Sequence, residues 1–403
     1  MGVHGRGLSR REFLGAGVAA GAGALLLGGA AGAVAPGRAK AKGGDVMPRR
    51  ALGRTGAEIP VIGLGASGDL SADQLILGQC VKRGVTYWDT SDNYSDGKAE
   101  IGIGRYFAKH PADRKRVFLV TKAGVGDAAS LNRQLAQSLQ RMKTDHIDAY
   151  FFHGVDGIGE VDKPELRTWA EAARKGGKIR FIGLSTHKNM AAVMTGAAKL
   201  GWIDCLMTTC NYRIMHDDDM RRALEACAAA GVGVAAMKTQ GGGPINDTAA
   251  DRELAGRLVA KGVTPEQAKI KAILEHPEIA TACLSMPNVE ILKSCVAAVM
   301  DGKKLGAAGR DALAVHAAAT HGSVCGACGR CERACRVPVS RVMRHLMYAR
   351  NYGDTAMARA RFRALGPAVH GRMASADFSK AEHACPHTLP IGRLMKEALL
   401  ELA

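Results

Sequence analysis

Residues 84–94 read GVTYWDTSDNY, an apolar run that ends in Asp89 and continues into a short polar loop. The apolar run from Val85 to Ser91 has the length of a buried strand. The same arrangement returns along the chain, where Lys122 ends the next apolar run and His153 ends the one after it. This repetition predicts parallel strands whose carboxyl ends carry polar side chains with a chemical role.

Eight such runs alternate with helical patterns between residues 59 and 287. The runs are Val61 to Gly65, Val85 to Ser91, Val117 to Lys122, Ile147 to His153, Ile179 to Ser185, Leu206 to Tyr212, Val232 to Lys238 and Thr281 to Met286. The segments between them have apolar residues three and four positions apart, as in Leu131 to Met142, Glu165 to Lys175 and Met220 to Ala229. This pattern predicts an α/β protein with a (β/α)8 TIM barrel. Residues 50–56 predict a small hairpin under the barrel.

Composition excludes several classes of protein. The chain has 403 residues, of which 47% are hydrophobic, so it is not a disordered chain. The formal net charge of +17 comes mostly from the two ends, since residues 1–50 hold eight Lys or Arg against two acids and residues 325–403 hold thirteen against six. Aromatic residues are only 4% and do not interleave with a basic stripe, so no nucleic-acid partner is expected.

The amino-terminal segment predicts export. Arg10 and Arg11 precede a Gly, Ala and Leu stretch that ends at Ala35 in small residues suited to a signal peptidase. Residues 1–35 therefore resemble a twin-arginine signal peptide, followed by a linker over residues 36–49. The expected location is the periplasm or another exported compartment, with the twin-arginine translocase as partner during export. A chance arginine pair before a membrane helix and an uncleaved signal that anchors the protein are the alternatives.

Four protonatable residues meet at one mouth of the predicted barrel. Asp89, Lys122 and His153 end consecutive runs, and Tyr94 follows Asp89 by five residues. A tyrosine hydroxyl titrates near 10, so proton donation at neutral pH needs a nearby cation, and Lys122 would favour the phenolate. Asp89 would hold Lys122 charged, while neutral His153 would orient a carbonyl oxygen. The set predicts proton delivery to a carbonyl group, whereas each residue alone fits an ion pair at the barrel rim.

These stretches closely resemble the signature of the aldo-keto reductases. The resemblance rests on residues 84–94, EIGIG at 100–104, VTK at 120–122, DAYFFH at 148–153 and IGLSTH at 182–187. It implies an aldo-keto reductase barrel over residues 50–310 that acts on a small carbonyl substrate. It also implies that Tyr94 is the general acid, that Lys122 and Asp89 tune it, and that His153 orients the substrate.

The resemblance further implies a nicotinamide cofactor, NADP or NAD, lying across the barrel mouth. The family holds the nicotinamide carboxamide from positions like Ser185 and Asn211, and Lys238, Ser285 and Lys293 are the other candidate contacts. Lys293 is the only cation in the segment after the eighth run, and Glu290 precedes it by three residues. The preference between NADP and NAD therefore stays open.

A cysteine run near the carboxyl end predicts an iron-sulfur cluster. Its members, spaced as Cys-x2-Cys-x2-Cys-x3-Cys, are Cys325, Cys328, Cys331 and Cys335. This spacing matches the ligand run of bacterial ferredoxins, whereas zinc usually takes two separated Cys pairs or a mixture of Cys and His. In ferredoxins Pro typically follows a remote ligand; here Pro386 follows Cys385, whereas Arg336 follows Cys335. The predicted ligands of one 4Fe-4S cluster are therefore Cys325, Cys328, Cys331 and Cys385.

Two points about this assignment stay open, namely whether Cys335 replaces Cys385, and whether His383 or His387 takes part. Residues 321–403 are predicted to form a small helical ferredoxin-like module. Its helices are expected at Val342 to Tyr348, Met357 to Leu365 and Ile391 to Leu402. The stretch YARNYGD at 348–354 resembles the linker of an aldo-keto reductase subgroup with a carboxyl-terminal iron-sulfur extension.

Together these features predict an exported oxidoreductase that reduces a carbonyl, or oxidises an alcohol, with a nicotinamide cofactor. The cluster would serve electron transfer, with an electron-transfer partner, or structure. The alternative is a non-catalytic redox or binding protein that keeps the barrel but binds nicotinamide poorly.

Overall fold

The computed structural model describes residues 46–242, 248–259 and 261–403. The predicted signal peptide, and the predicted linker as far as residue 45, lie outside the described residues. In the described ranges, no helix is both long enough and apolar enough to cross a membrane.

Eight parallel strands close into a barrel. They are β3 (Ile62–Gly65), β4 (Tyr87–Asp89), β5 (Phe118–Ala123), β6 (Ile147–Phe152), β7 (Ile179–Thr186), β8 (Cys205–Thr209), β9 (Gly233–Met237) and β10 (Ile279–Leu284). Each strand pairs with the next along the chain, and β10 pairs with β3. The predicted (β/α)8 fold is confirmed. The run from Val85 to Ser91 forms a shorter strand than its length suggests, because the chain turns into the loop that carries Tyr94.

Helices follow the strands on the outside of the barrel. They are α1 (Leu75–Lys82), α2 (Lys98–Lys109), α3 (Pro111–Arg114), α4 (Ala128–Met142), α5 (Pro164–Lys175), α6 (Met190–Leu200), α7 (Asp218–Ala229), α8 (Ala249–Val259), α9 (Pro265–Leu274) and α10 (Val289–Met300). The three amphipathic segments predicted above correspond to α4, α5 and α7. Helix α4 begins before Leu131 because Asp127 caps it, its carboxylate accepting from the Ser130 N–H at 2.7 Å.

A hairpin precedes the barrel, as predicted. Strand β1 (Arg49–Ala51) pairs antiparallel with β2 (Glu58–Pro60). Between them, Leu52 is buried and packs with the inward side chains of the barrel, including Tyr87. Gly53 has φ +54°, and a Cβ there would lie 2.3 Å from the carbonyl oxygen of Gly231, so only glycine fits this contact. The hairpin therefore fills the amino-terminal end of the barrel and leaves the opposite mouth for function.

The carboxyl-terminal region is helical. It contains α11 (Ala307–Ala319), α12 (Arg330–Cys335), α13 (Val339–Tyr352), α14 (Thr355–Arg363), α15 (Pro367–Ser375), α16 (Ser379–His383) and α17 (Ile391–Leu402). The three helices expected from the sequence are α13, α14 and α17. These helices share an apolar core that includes Leu346, Phe362 and Met395, separate from the core of the barrel.

Several polar contacts join this region to the barrel, and three of them reach loops that follow the strands. The Asn189 N–H donates to the carbonyl oxygen of Ala327 at 3.2 Å. The Lys188 Nζ lies 2.5 Å from a carboxylate oxygen of Glu332. The Asn351 side chain in α13 donates to the carbonyl oxygen of Gly242. The cysteine segment and α13 therefore lie over the carboxyl-terminal mouth of the barrel.

Candidate active site

Adjacent strands bring Lys122, Asp89 and Tyr94 together. The Lys122 Nζ lies 2.5 Å from Oδ1 of Asp89, the last residue of β4, and donates to the Thr90 carbonyl oxygen at 2.7 Å. The same ammonium lies 5.0 Å from the centroid of the Tyr94 ring. Lys122 and Asp89 are both buried, so their ion pair is shielded from water.

His153 completes the group directly after β6. Its ring meets the Tyr94 ring edge-on, with 5.7 Å between centroids. Its Nδ1 lies 3.0 Å from Oγ of Ser91, within hydrogen-bond distance. The structure therefore brings all four predicted catalytic residues to one place.

Burial sets the protonation states in this group. Burial lowers the pKa of His153 to about 3, with Lys122 acting in the same direction, so the imidazole is neutral at neutral pH. Burial also raises the pKa of Tyr94, although the Lys122 ammonium acts to lower it. Lys122 thus acts in the predicted direction, but desolvation of the phenolate is the larger effect. For Lys122, burial is the largest effect and lowers the pKa, but the Asp89 carboxylate, Tyr94 and Cys283 together raise the pKa above its ordinary value, which favours the ammonium.

The loop that carries Tyr94 has an unusual backbone. Ser95 and Asp96, which follow Tyr94, have φ angles of +47° and +54°, a region that side-chain-bearing residues rarely adopt. Arg141, in α4, donates to the carbonyl oxygen of Asp92 at 2.8 Å and pairs with buried Glu100 at 3.2 Å. Strained backbone persists where surrounding contacts hold it. Arg141 is one such contact, and it fixes the approach of the chain to Tyr94.

A cleft of about 940 Å³, counted with the solvent at its opening, lies over the strand ends. The barrel contributes Asn211 and Lys238 to its wall. The carboxyl-terminal region contributes Cys325, Met343 and Arg344. The cleft is therefore shared between the barrel mouth and the helices that cover it.

Of the five residues predicted to contact the cofactor, two line the cleft and three do not. Asn211 and Lys238 line the cleft, and Lys238 has φ +56°. Ser185 is buried, and its Oγ accepts a hydrogen bond from the Gly154 N–H at 3.0 Å. Ser285 is exposed directly after β10. Lys293 lies on the surface of α10, 3.7 Å from the Glu290 carboxylate, and it does not line the described cleft.

The structure also brings the four predicted cluster ligands together. The Cys325 thiol lies within electrostatic range of Cys328 and Cys385, and the Cys331 thiol within range of Cys325, Cys328 and also Cys335. Burial, with these neighbours, raises the pKa of Cys325 and of Cys331 to about 12. Cys325, Cys331 and Cys385 border the same apolar core. In the described ranges, no group of three or more His, Cys, Asp or Glu is arranged to hold a single metal ion.

The remaining cysteine of the run and the two nearby histidines are placed differently. The Cys335 thiol donates to the carbonyl oxygen of Cys331, with 3.3 Å between sulfur and oxygen. His387 packs against Gly326, where a Cβ would lie 2.6 Å from its Nε2. His383 is exposed on α16. None of the eleven cysteines is paired in a disulfide.

Sequence reasoning missed several residues at this site. Ser91 lies within the motif at residues 84–94, two residues after Asp89, and this position could have predicted that Ser91 reaches the barrel mouth. Arg344 and Tyr348 come from α13, and no local pattern marked them as residues of the barrel mouth. The only related signal was the basic excess of residues 325–403.

The chain is similar in sequence to curated proteins from a yeast and a plant. A 162-residue stretch is 36% identical to the aldo-keto reductase yakc [NADP(+)] of Schizosaccharomyces pombe, covering 34% of this chain and 45% of that protein. A 287-residue stretch is 23% identical to the L-galactose dehydrogenase of Arabidopsis thaliana, covering 64% of this chain and 89% of that protein. The chain thus spans less than half of the first relative and most of the second.

The solved structures agree with the fold. The thermostable aldo-keto reductase Tm1743, crystallised with the inhibitor epalrestat, superposes with a TM-score of 0.56 at 25% identity, over 67% of this chain and all of that one. AKR11C1 from Bacillus halodurans, in its holo form, superposes with a TM-score of 0.55 at 22% identity, over 67% of this chain and 96% of that one. The model of the aldo/keto reductase family matches residues 64–284, which include all four residues gathered at the barrel mouth. The chain therefore belongs to the aldo/keto reductase family and is an oxidoreductase of that type.

Proposed function

We propose that this protein reduces a small carbonyl substrate with a nicotinamide nucleotide, and that Tyr94 is the proton donor. The observation that carries the proposal is the position of Tyr94, with its ring 5.0 Å from the Lys122 ammonium and 5.7 Å from the His153 ring. A proton donor, a cation and a neutral imidazole at one barrel mouth suit the addition of hydride and proton to a carbonyl.

Each residue has a separate part in the reaction. A nicotinamide nucleotide, when bound, would supply the hydride. Tyr94 gives its hydroxyl proton to the carbonyl oxygen, and the Lys122 ammonium stabilises the phenolate that remains. Asp89 keeps Lys122 charged and in place. When Ser91 donates to Nδ1, the neutral His153 ring carries its proton on Nε2, where it can donate to the carbonyl oxygen and orient it.

Nucleotide binding is the first experiment. Asn211 and Lys238 both line the cleft, and Asn211 would hold the nicotinamide carboxamide. The fission yeast relative carries NADP(+) in its name, which supports NADPH as the cofactor. Anaerobically purified protein should quench or enhance the fluorescence of NADPH or NADH with a micromolar Kd. If neither nucleotide binds at concentrations up to about a millimolar, its binding free energy is weaker than roughly 4 kcal/mol. The reductase proposal then fails.

A second candidate function is electron transfer or ligand binding without hydride chemistry. It is supported by Cys325, which lines the same cleft as Asn211, and by the ion pair that ties Lys293 to Glu290. In that case nucleotides would not bind, and substitution of Tyr94 by Phe would leave redox exchange with a partner unchanged. In the reductase, the same substitution would lower turnover by about 10²- to 10⁴-fold.

We also propose that residues 321–403 bind one 4Fe-4S cluster through four cysteines. The ligands are Cys325, Cys328, Cys331 and Cys385. The donor set fits, because four thiols share one region and the Ala327 N–H donates to the Cys325 sulfur at 3.3 Å, a type of contact that stabilises cluster sulfurs. A cube is ligated at four separate irons, so its ligands need not converge on one point as they would for zinc. When bound, the cluster would supply single-electron transfer.

Iron analysis tests this ligand set. Cys385→Ala should lose most of the bound iron and acid-labile sulfide, whereas the matched control Cys335→Ala should keep both. Cys335 is the appropriate control because its thiol already donates to the backbone of its own helix. Loss of iron in Cys335→Ala with retention in Cys385→Ala would show that the assignment is wrong. Zinc in place of iron would reject the cluster itself.

Export through the twin-arginine pathway is proposed from the sequence of residues 1–35. Its support is the pair Arg10 and Arg11 before an apolar stretch. Replacement of both arginines by lysine should retain the protein in the cytoplasmic fraction, measured by immunoblot of fractionated cells. Unchanged export of that variant would contradict the pathway.

A further inference from the structure

The cleft over the barrel mouth is rich in positive charge. Its lining includes Arg213, Lys238 and Arg344, while no Asp or Glu is among the described residues of its wall. The Arg213 guanidinium is engaged, since it donates to the carbonyl oxygen of Gly241 at 2.6 Å. Within the described part of the chain, Lys238 and Arg344 have no such hydrogen bond or ion pair. Two cations therefore face the cleft without an anion in hydrogen-bond or ion-pair contact; the Asp156 carboxylate acts on Arg344 only at longer range and lies 3.9 Å from Arg341.

Neither charge is freely solvated. Lys238 and Arg344 are both partly buried, and the Lys238 Nζ lies 5.3 Å from the centroid of the Tyr348 ring. Charge removed from water without a counterion is unfavourable, and two like charges at one cleft add repulsion. Burial, followed by the charge of Arg344, lowers the pKa of Lys238. An anion between the two side chains would offset both costs.

The position of Arg344 indicates which molecule carries that anion. His187, directly after β7, lines the same cleft as Arg344, and the Arg344 guanidinium lies within electrostatic range of His187 and of His153, the residue proposed to orient the carbonyl. The reacting ring of a nicotinamide nucleotide carries a neutral amide, and its phosphates lie beyond the attached ribose. An acid group at Arg344 is therefore more readily supplied by the substrate than by the nucleotide.

We propose that Lys238 and Arg344 bind an acid group, a carboxylate or phosphate, on the carbonyl substrate. The substrate class is then an oxo acid, or a phosphorylated aldehyde or ketone. This inference rests on the proposed carbonyl reduction. A guanidinium can hold a carboxylate or phosphate through two parallel hydrogen bonds, which also fixes the orientation of the bound molecule. Helix α13 thus adds a specificity-determining residue to a cleft that the barrel and the carboxyl-terminal region build together.

Binding of an unreactive pair of probes tests the proposal without turnover. Butanoate and butanamide have nearly the same shape and differ in charge. Isothermal titration of each into the full-length protein should show butanoate binding and little butanamide binding. Arg344→Gln should weaken butanoate about ten- to a hundredfold, and Arg344→Lys should restore part of that loss because it keeps the charge.

Arg341→Gln is the matched control. Arg341 lies one turn earlier on α13, is exposed, and pairs with Asp156 at 3.9 Å, so its removal changes the net charge equally without touching the cleft. We expect butanoate affinity to stay within about threefold of wild type. If Arg344→Gln and Arg341→Gln lose the same butanoate affinity, only the overall positive charge of the protein matters for binding. That result would overturn the proposal.

Titration of NADP+ separates the two sources of an acid group. If Arg344→Gln weakens NADP+ instead and leaves butanoate unchanged, the site serves the nucleotide phosphates and the proposal is wrong. Equal binding of butanoate and butanamide to wild type would also overturn it. If butanoate binds as expected but no nucleotide binds, the acid site stands and the reductase proposal fails. The two failures are therefore distinguishable.

Discussion

The Nζ of Lys238, directly after β9, lies 5.3 Å from the ring centroid of Tyr348, which belongs to α13. These residues are separated by more than a hundred positions, yet they lie side by side where α13 covers the barrel mouth, and Lys238 lines the cleft there. Tyr348 also lies within electrostatic range of Tyr94. The helical region is thus part of the catalytic mouth in addition to being a candidate cluster-binding module.

Tyr94→Phe should lower kcat by about 10²- to 10⁴-fold, because it removes the proton donor and leaves the ring in place. The Kd for NADPH should stay within about twofold of wild type. Stopped-flow measurement of NADPH oxidation gives the rate, and fluorescence titration gives the Kd. Tyr352→Phe, at a tyrosine 41% exposed, is the control and should retain wild-type kcat. A kcat within tenfold of wild type in Tyr94→Phe would contradict the assigned role.

Arg141→Met should lower kcat by roughly a hundredfold although Arg141 does not touch the reacting atoms. The variant loses the hydrogen bond to the Asp92 carbonyl, so the loop carrying Tyr94 shifts, and small displacements of catalytic groups are costly. The variant should also unfold at lower temperature, because Glu100 is left buried without its ion-pair partner. Steady-state kinetics well below the melting temperature separate the two effects.

Arg133→Met is the control for this experiment, since Arg133 is exposed on the same helix. It should leave both kcat and melting temperature unchanged. If Arg141→Met is destabilised but keeps full kcat, Arg141 supports the fold and does not position Tyr94.

His153 should make the protein sensitive to acid. Its folded-state pKa of about 3 lies below the unfolded value near 6.5, so the unfolded chain takes up a proton first as pH falls. The contribution of His153 to the free energy of unfolding is therefore fully present above pH 6.5 and is lost as the pH falls from 6.5 towards 3. Urea unfolding at pH 7.5 and pH 5.0 should show a smaller loss in His153→Gln than in wild type, by on the order of 1 kcal/mol.

His345, whose pKa burial lowers to about 4, stays in both proteins and contributes equally to their acid sensitivity. The difference between wild type and variant therefore isolates His153. An identical loss of stability in the two would show that the folded His153 is protonated like a free imidazole.

Gly53→Ala should destabilise the protein more than Gly56→Ala, by about 2 kcal/mol or more. Both glycines have positive φ, so both variants incur the backbone cost of a side chain there, about 1 kcal/mol. At Gly53 the new methyl also meets the Gly231 carbonyl oxygen at 2.3 Å, whereas at Gly56 no atom lies within 4 Å. Thermal unfolding of the two variants gives the comparison. Equal shifts would mean that the hairpin moves freely away from the barrel bottom.

Local pattern was enough to predict the barrel and the four residues at its mouth. Strand runs repeat with helical periodicity between them, and a parallel barrel places every strand's carboxyl end at one mouth, so Asp89, Lys122 and His153 had to meet once the fold was known. The helices α12, α15 and α16 were not predicted individually, because they are short and their apolar faces are set by neighbours in the carboxyl-terminal core.

The sequence alone thus specified the barrel, the order of its strands and the polar residues at their ends. Hydrophobic periodicity and the spacing of the apolar runs are local properties of the chain, so they can be recognised without the structure. The arrangement of α13 over the mouth was not encoded in any local pattern. It depends on contacts such as Asn351 with Gly242 and Lys238 with Tyr348, which join residues more than a hundred positions apart. Such contacts form only when two separately packed apolar cores meet, so the cation-lined cleft emerges from packing between regions and is visible in the folded molecule alone.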